Sequence, residues 1–207
     1  MGLLVALLMI FAQVVPVQGV DIFVDQPTLQ NSVDIYTRTF APTECSVVEG
    51  LISSAGTHKL LRFATETVNA GKIDLNMPRS PRANDPNYAY FPCHMHFHFL
   101  KYAEYRLKDG SGNVVGIGHK QSFCIEDVGI YYYEFAPHQN RPKYACYNQG
   151  LSSGWYDLYD YYLDGQWIEI DNVPPGTYTL EVEVNYARVW TESNYDNNVA
   201  SVVVTIP

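Results

Sequence analysis

The chain has 207 residues, with 13 Lys and Arg against 22 Asp and Glu, for a net charge of −9 at neutral pH. That field repels a phosphate backbone, which argues against duplex nucleic acid as a partner and is compatible with a basic one. The length suits one domain with a real core, and four cysteines, an even number, fit two disulfides in an oxidising compartment.

Leu3 to Ala12 is a continuous apolar run with the length of a signal-peptide h-region, and Val17-Gln18-Gly19 offers small or modest residues for cleavage. No Lys or Arg precedes Arg38, so only the amine of Met1 supplies the usual positive charge. A spanning helix needs about 20 apolar residues. Gln13, Pro16 and Gln18 interrupt this run too early. We expect residues 1–19 to be a cleaved signal peptide and residues 20–207 a secreted domain with no later membrane segment.

Further along, the local patterns are strand-like. Short runs at 59–64, 103–107, 122–125 and 166–170 predict strands. Residues 69–88, rich in Pro and Asn, predict a long surface loop. Lys108-Asp109-Gly110-Ser111-Gly112-Asn113 and Pro174-Pro175-Gly176 are turn signals. In 177–185, Tyr178, Leu180, Val182 and Val184 alternate with Thr179, Glu181 and Glu183, the period-2 signature of a half-buried strand. The β-branched run 201–206 would close the sheet. No helical period lasts three turns. The expectation is an all-β, sandwich-like single domain with long loops and little helix.

The sharpest chemistry lies in Phe91 to Phe99, which reads FPCHMHFHF. Side chains at i, i+2 and i+4 of a strand share a face, first neighbours about 7 Å apart. On that reading His94, His96 and His98 converge while Met95 and Phe97 turn into the core. Three of the chain's six histidines fall within five residues, which is hard to explain as unrelated polar side chains. Three neutral imidazoles suit copper or zinc, and spacing alone does not choose between them.

FPCHMHFHF, then GHKQSFCIED (Gly118 to Asp127), QGLSSGWYDLYDYYLDGQWIEI (Gln149 to Ile170), VPPGTYTLEVEVN and ESNYDNN follow one another in an order and spacing that resembles the catalytic domain of lysyl oxidases. The likeness runs from about Asp21 to Ile206, in a compact form similar to the family's microbial members. It implies copper on His94, His96 and His98. It also implies that Lys120, of the Gly-His-Lys motif, is cross-linked to Tyr159 as lysine tyrosylquinone. Tyr159 is the second tyrosine of Tyr156-Asp157-Leu158-Tyr159, and only the motif's register excludes Tyr156, Tyr161 and Tyr162.

The implied reaction is oxidative deamination of a primary amine (a lysine side chain or a small alkylamine) by O2, releasing aldehyde, hydrogen peroxide and ammonia. Building the quinone requires a free Lys120 amine, although an ordinary lysine has a pKa of about 10.4. A neighbouring copper charge and partial burial both lower it. Asp157, Asp164 and Glu126 lie near the motifs, and none is singled out as the base.

The resemblance further implies the pairs Cys45–Cys93 and Cys124–Cys146. Additional bridges of animal relatives are missing here as matched sets, with Leu51 and Gly165 standing where one pair would be. It also implies a calcium site, formed by Asp21, the Ile22 carbonyl, Glu192, Asn194, Asn197 and Asn198, that ties the start of the domain to its last hairpin. An ordinary Asn-rich turn is the competing reading of those residues. Two other readings of the whole chain compete. A non-catalytic secreted β-sandwich adhesion or structural module would explain the C-terminal third but not the histidines. A zinc domain lacking the quinone would leave Lys120 and Tyr159 without a role.

Overall fold

The computed structural model describes residues 18–77, 85–118, 124–139 and 141–207. The expected signal segment, apart from its last two residues, lies outside them. In chain order the elements are β1 (Ile22–Val24), α1 (Gln26–Ser32), β2 (Asp34–Phe40), α2 (Cys45–Val48), β3 (Gly56–Arg62), β4 (Thr65–Asn69), β5 (Leu75–Asn76) and β6 (Tyr88–Phe91). There follow β7 (His96–Phe99), β8 (Ala103–Lys108), β9 (Val114–Ile117), β10 (Gly129–Ile130), β11 (Gly150–Leu151), β12 (Trp155–Tyr159), β13 (Trp167–Glu169), β14 (Gly176–Val184) and β15 (Val199–Ile206). Among the described residues no helix exceeds two turns, and none is long and apolar enough to cross a membrane.

The protein is all-β, as its sequence predicts. One four-stranded sheet has the order β15-β14-β8-β9, a second β1-β4-β12-β10, and a third, of three strands, β13-β3-β2. β14 holds the first sheet together because its alternation matches the pleat. Leu180, Val182 and Val184 are buried, while Glu181 and Glu183 face outward. On that outer face Arg106, opposite Glu181 in register, lies 2.8 Å from Glu181, 2.7 Å from Glu104 and 2.5 Å from Glu183. Lys108 adds a second cation to Glu181 at 2.7 Å.

The main core gathers residues of all three sheets, among them Ile22, Leu61, Phe63, Leu107, Trp155, Ile168, Leu180 and Val202. Tyr102 and Tyr105 are fully buried within it, and a buried phenol needs a partner. Tyr102 meets the Thr67 hydroxyl at 2.6 Å, and Tyr105 donates to Gln166 at 2.7 Å and accepts from Thr65 at 3.1 Å. A smaller core of Phe40, Leu51, Ile52, Leu60 and Trp167 sits under α2 and the loop that follows it.

Two sequence expectations need correction. The segment 69–88 is not a surface loop throughout: Asn69, Ala70, Leu75 and Met77 are buried, and β5 pairs with β11. Its middle, 78–84, lies outside the described residues. Of the run 122–125, only Cys124 and Ile125 are described, and they form no strand. Ile125 instead accepts from Gly150 N–H at 3.0 Å while its own N–H donates to the Gln149 side chain at 3.3 Å. The cysteines pair as Cys45–Cys93 and Cys124–Cys146.

Candidate active site

The histidines do not share one strand face. β7 begins at His96, and His94 sits in the turn between β6 and β7, where Met95 adopts φ of 56°. A non-glycine residue in that region is uncommon and strained. Met95 therefore points outward, 78% exposed, rather than into the core, whereas Phe97 does pack against it.

The turn folds His94 back over the pair on β7, so the three imidazoles still gather. Ring centroids are 4.5 Å apart for His96 and His98, 5.2 Å for His94 and His98, and 5.9 Å for His94 and His96. The Nε2 atoms of His96 and His98 face each other at 2.7 Å. Phe91 stacks on His98 with centroids 4.6 Å apart.

Sequence reasoning missed Glu49. This residue caps the C-terminal end of α2, and its side chain is only 2% exposed. One carboxylate oxygen lies 2.8 Å from His94 Nδ1 and the other accepts the Cys93 N–H at 2.8 Å. The signal was present in the spacing: Glu49 stands one helical turn after Cys45, and Cys45 is bonded to the residue preceding His94.

Tyr159 ends β12 and lines the same pocket, a space of about 320 Å³ shared with the three histidines, Glu126, Asp157 and Asp164. Its hydroxyl donates to the Cys124 carbonyl at 2.7 Å and accepts the Cys124 N–H. Burial pushes the Tyr159 phenol well above its ordinary range, and the charge of Asp157 pushes the same way. Burial also raises the Glu126 carboxyl, against the pull of the Cys146 N–H and of His96. Asp164 is held by Arg38 at 3.0 Å. Gln149 ties the two walls together, donating to the Phe97 carbonyl on the histidine strand at 3.1 Å and accepting from Ile125 at 3.3 Å. Lys120 lies outside the described residues, as does His119. Tyr161 and Tyr162 are exposed on the following turn.

Away from this pocket, Asp21 and Glu192 are buried near one another. Asn197 donates to Asp21 at 3.0 Å, and Glu192 accepts from Ile22 N–H at 2.6 Å, from Asn185 at 2.6 Å and from Asn198 at 2.9 Å. Burial raises the Glu192 carboxyl, with Asp21 adding to the rise and the three donors opposing it. The amide oxygens of Asn197 and Asn198 are buried without a hydrogen-bond partner. Asn194 accepts from Asp196 N–H at 3.0 Å, capping its own turn.

Fold and pocket together define an all-β domain in which three imidazoles and one half-buried tyrosine share a cavity. The lysyl oxidase family profile matches residues 21–206. Protein-lysine 6-oxidase of Gallus gallus is 33% identical over 192 residues, covering 86% of this chain and 43% of that protein. Protein-lysine 6-oxidase of Sus scrofa is 34% identical, with 86% and 73% covered, and lysyl oxidase homolog 3B of Danio rerio is 31% identical, with 86% and 22% covered. The chain belongs to the lysyl oxidase family. It spans less than half the length of the Gallus gallus and Danio rerio relatives.

Proposed function

We propose that the chain is a secreted copper amine oxidase that converts primary amines, either lysine side chains or small alkylamines, to aldehydes with release of hydrogen peroxide and ammonia. The observation that carries this reading is the convergence of His94, His96 and His98 on a pocket walled by Tyr159. Two imidazole nitrogens facing each other at 2.7 Å need a proton or a cation between them. Three imidazoles with a carboxylate behind one of them form a donor set that fits copper. When bound, copper and a quinone built from Lys120 and Tyr159 supply the two-electron oxidation of the amine.

The chain's own residues orient and polarise. Glu49 stands behind His94 on its Nδ1 side, which would leave Nε2 as the ligating atom. The Cys124 backbone holds Tyr159, and burial, with the charge of Asp157 adding to it, favours the protonated phenol. Glu126, Asp157 and Asp164 give the pocket a negative field that favours a cationic amine. Residues 1–19 act as the signal peptide and 20–207 as the mature domain. Calcium bound by Asp21, Glu192, Asn197 and Asn198, with the Ile22 carbonyl, fastens the start of the domain to the last hairpin. The unpartnered amide oxygens of Asn197 and Asn198 support it.

The test is amine-dependent peroxide release by purified, copper-loaded protein across several amines. Tyr159→Phe and Lys120→Arg should keep copper yet lose both the visible band that phenylhydrazine shifts and the peroxide. A guanidinium stays protonated and cannot replace the lysine amine as nucleophile. Peroxide release undiminished in either variant would refute the assignment.

A further inference from the structure

His58 lies on β3, nine residues after Glu49 and outside the imidazole pocket, and is buried at 7% exposure. Its Nε2 faces the Ser54 carbonyl at 3.1 Å, so that nitrogen carries a proton and donates it. Nδ1 then faces two carboxylate oxygens, Asp171 Oδ2 at 2.6 Å and Glu169 Oε1 at 3.1 Å. A neutral imidazole would present its lone pair to two acceptors, which repel it. A positive charge belongs at this point.

Each of the three groups is aimed by a partner on its far side. The remaining oxygen of Asp171 accepts Lys59 N–H at 2.6 Å, and that of Glu169 accepts Ser53 N–H at 3.1 Å. The Ser53 hydroxyl also donates to Glu169 Oε1 at 2.7 Å. An imidazole whose second nitrogen donates to a backbone carbonyl, beside carboxylates that are themselves hydrogen-bonded, is the arrangement that surrounds ligating residues in metal sites. One ligand atom from each residue lies within 4.8 Å of the others. A cavity of about 240 Å³ opens beside Glu169 and Asp171, with room for water ligands.

We propose that His58, Glu169 and Asp171 bind a divalent transition ion of the Zn²⁺ class, a metal site separate from the imidazole pocket. One nitrogen and two carboxylates suit zinc, and two negative charges neutralise it. Zinc–ligand bonds of about 2.0–2.2 Å in tetrahedral array set N···O separations of roughly 3.3 Å. Glu169 at 3.1 Å nearly meets that spacing; Asp171, at 2.6 Å in the turn after β13, must withdraw by about 0.7 Å on metal binding. The ion would staple β3, β13 and residues 53–54 over the smaller core, on the segment that follows Glu49.

Copper-loaded protein in calcium-saturated buffer at neutral pH is exposed to Zn²⁺, dialysed, and analysed for metal. One equivalent of zinc should be retained, and the melting temperature should rise with free Zn²⁺. Asp171→Asn and His58→Ala should weaken zinc retention by more than about 100-fold, beyond the effect of losing an outer-shell group, with copper content unchanged. Asp171→Asn keeps a side chain of the same shape, so it answers the question if His58→Ala fails to fold. The same uptake is expected when His94, His96 and His98 are all replaced by alanine, which separates this proposal from the copper reading. No retained zinc, or equal retention in Asp171→Asn, would overturn it and leave a proton as the charge on His58.

Discussion

Glu49 Oε2 sits 2.8 Å from His94 Nδ1, at the point where α2 and the β6–β7 turn are joined by the Cys45–Cys93 disulfide. The histidine outside strand β7 thus has its own anchor, which replaces the strand geometry that aligns His96 and His98. Glu49→Gln should keep the fold, because an amide still fills the space and its oxygen can still accept the Cys93 N–H. It should weaken copper retention by about 10–100-fold, the usual cost of an outer-shell partner. Chelator competition followed by metal analysis measures this, and unchanged affinity would show that Glu49 only packs.

The same anchor depends on the disulfide. Cys45 and Cys93 are 48 residues apart and Cys124 and Cys146 are 22 apart. Loop-entropy arithmetic gives roughly 4 and 3.5 kcal/mol as model-dependent upper figures. Replacing Cys45 and Cys93 together by serine should lower the melting temperature and also weaken copper retention, since Glu49 loses its fixed place. Replacing Cys124 and Cys146 should instead disturb the Tyr159 contact, seen as slower appearance of the quinone band at full copper occupancy. Identical effects from both pairs would argue against this division of roles.

The strands that sequence reading found are those with apolar inner faces. β14 and β15 alternate cleanly because Leu180, Val182, Val184, Val202 and Val204 all point inward. β4 and β12 escaped because their inward positions are polar: Thr65, Thr67 and Asn69 on one, Asp157 on the other. Thr65 and Thr67 serve the buried tyrosines Tyr105 and Tyr102, and Asp157 stands near Tyr159, so the periodicity fails where the site is built. The histidine motif was legible as a cluster but not as a shape. The alternating spacing suggests a strand, while the backbone at Met95 turns left-handed to bring His94 round. Glu49 was legible only through the Cys45–Cys93 pairing, which carries it to His94, whereas the His58 cluster was hidden because pairs separated by long stretches of chain leave no local pattern.

On the outer face of β14, Glu181 is held below the usual carboxylate range: burial works against this, and Lys108 and Arg106 outweigh it. The folded pKa is therefore the lower one. Its contribution is complete above the unfolded value of about 4.3 and is lost as pH falls through the folded value. Glu181→Gln should cost about 1 kcal/mol at neutral pH, as for a partly exposed charge network. Denaturation midpoints of the two proteins should converge below about pH 4. A gap that persists in acid would mean the loss is one of packing.

Asp157 raises the Tyr159 phenol beyond what burial alone does. Converting that ring to a quinone requires the phenol to lose its proton, so the carboxylate opposes the first event of maturation. Asp157→Asn removes the charge and keeps the volume. The phenol should titrate lower, still above its ordinary value because burial remains. Each pKa unit regained raises the phenolate fraction about tenfold at fixed pH. When copper is added to metal-free protein, the phenylhydrazine-reactive band should therefore appear faster in Asp157→Asn, by a similar factor across the neutral pH range. Tyr102 and Tyr105 also feel Asp157, so the comparison needs Tyr159→Phe with and without Asp157→Asn, in which no band should form. Turnover is measured separately, because Asp157 also lines the pocket that receives the amine. Maturation at the parental rate in Asp157→Asn would show that copper alone sets the state of Tyr159.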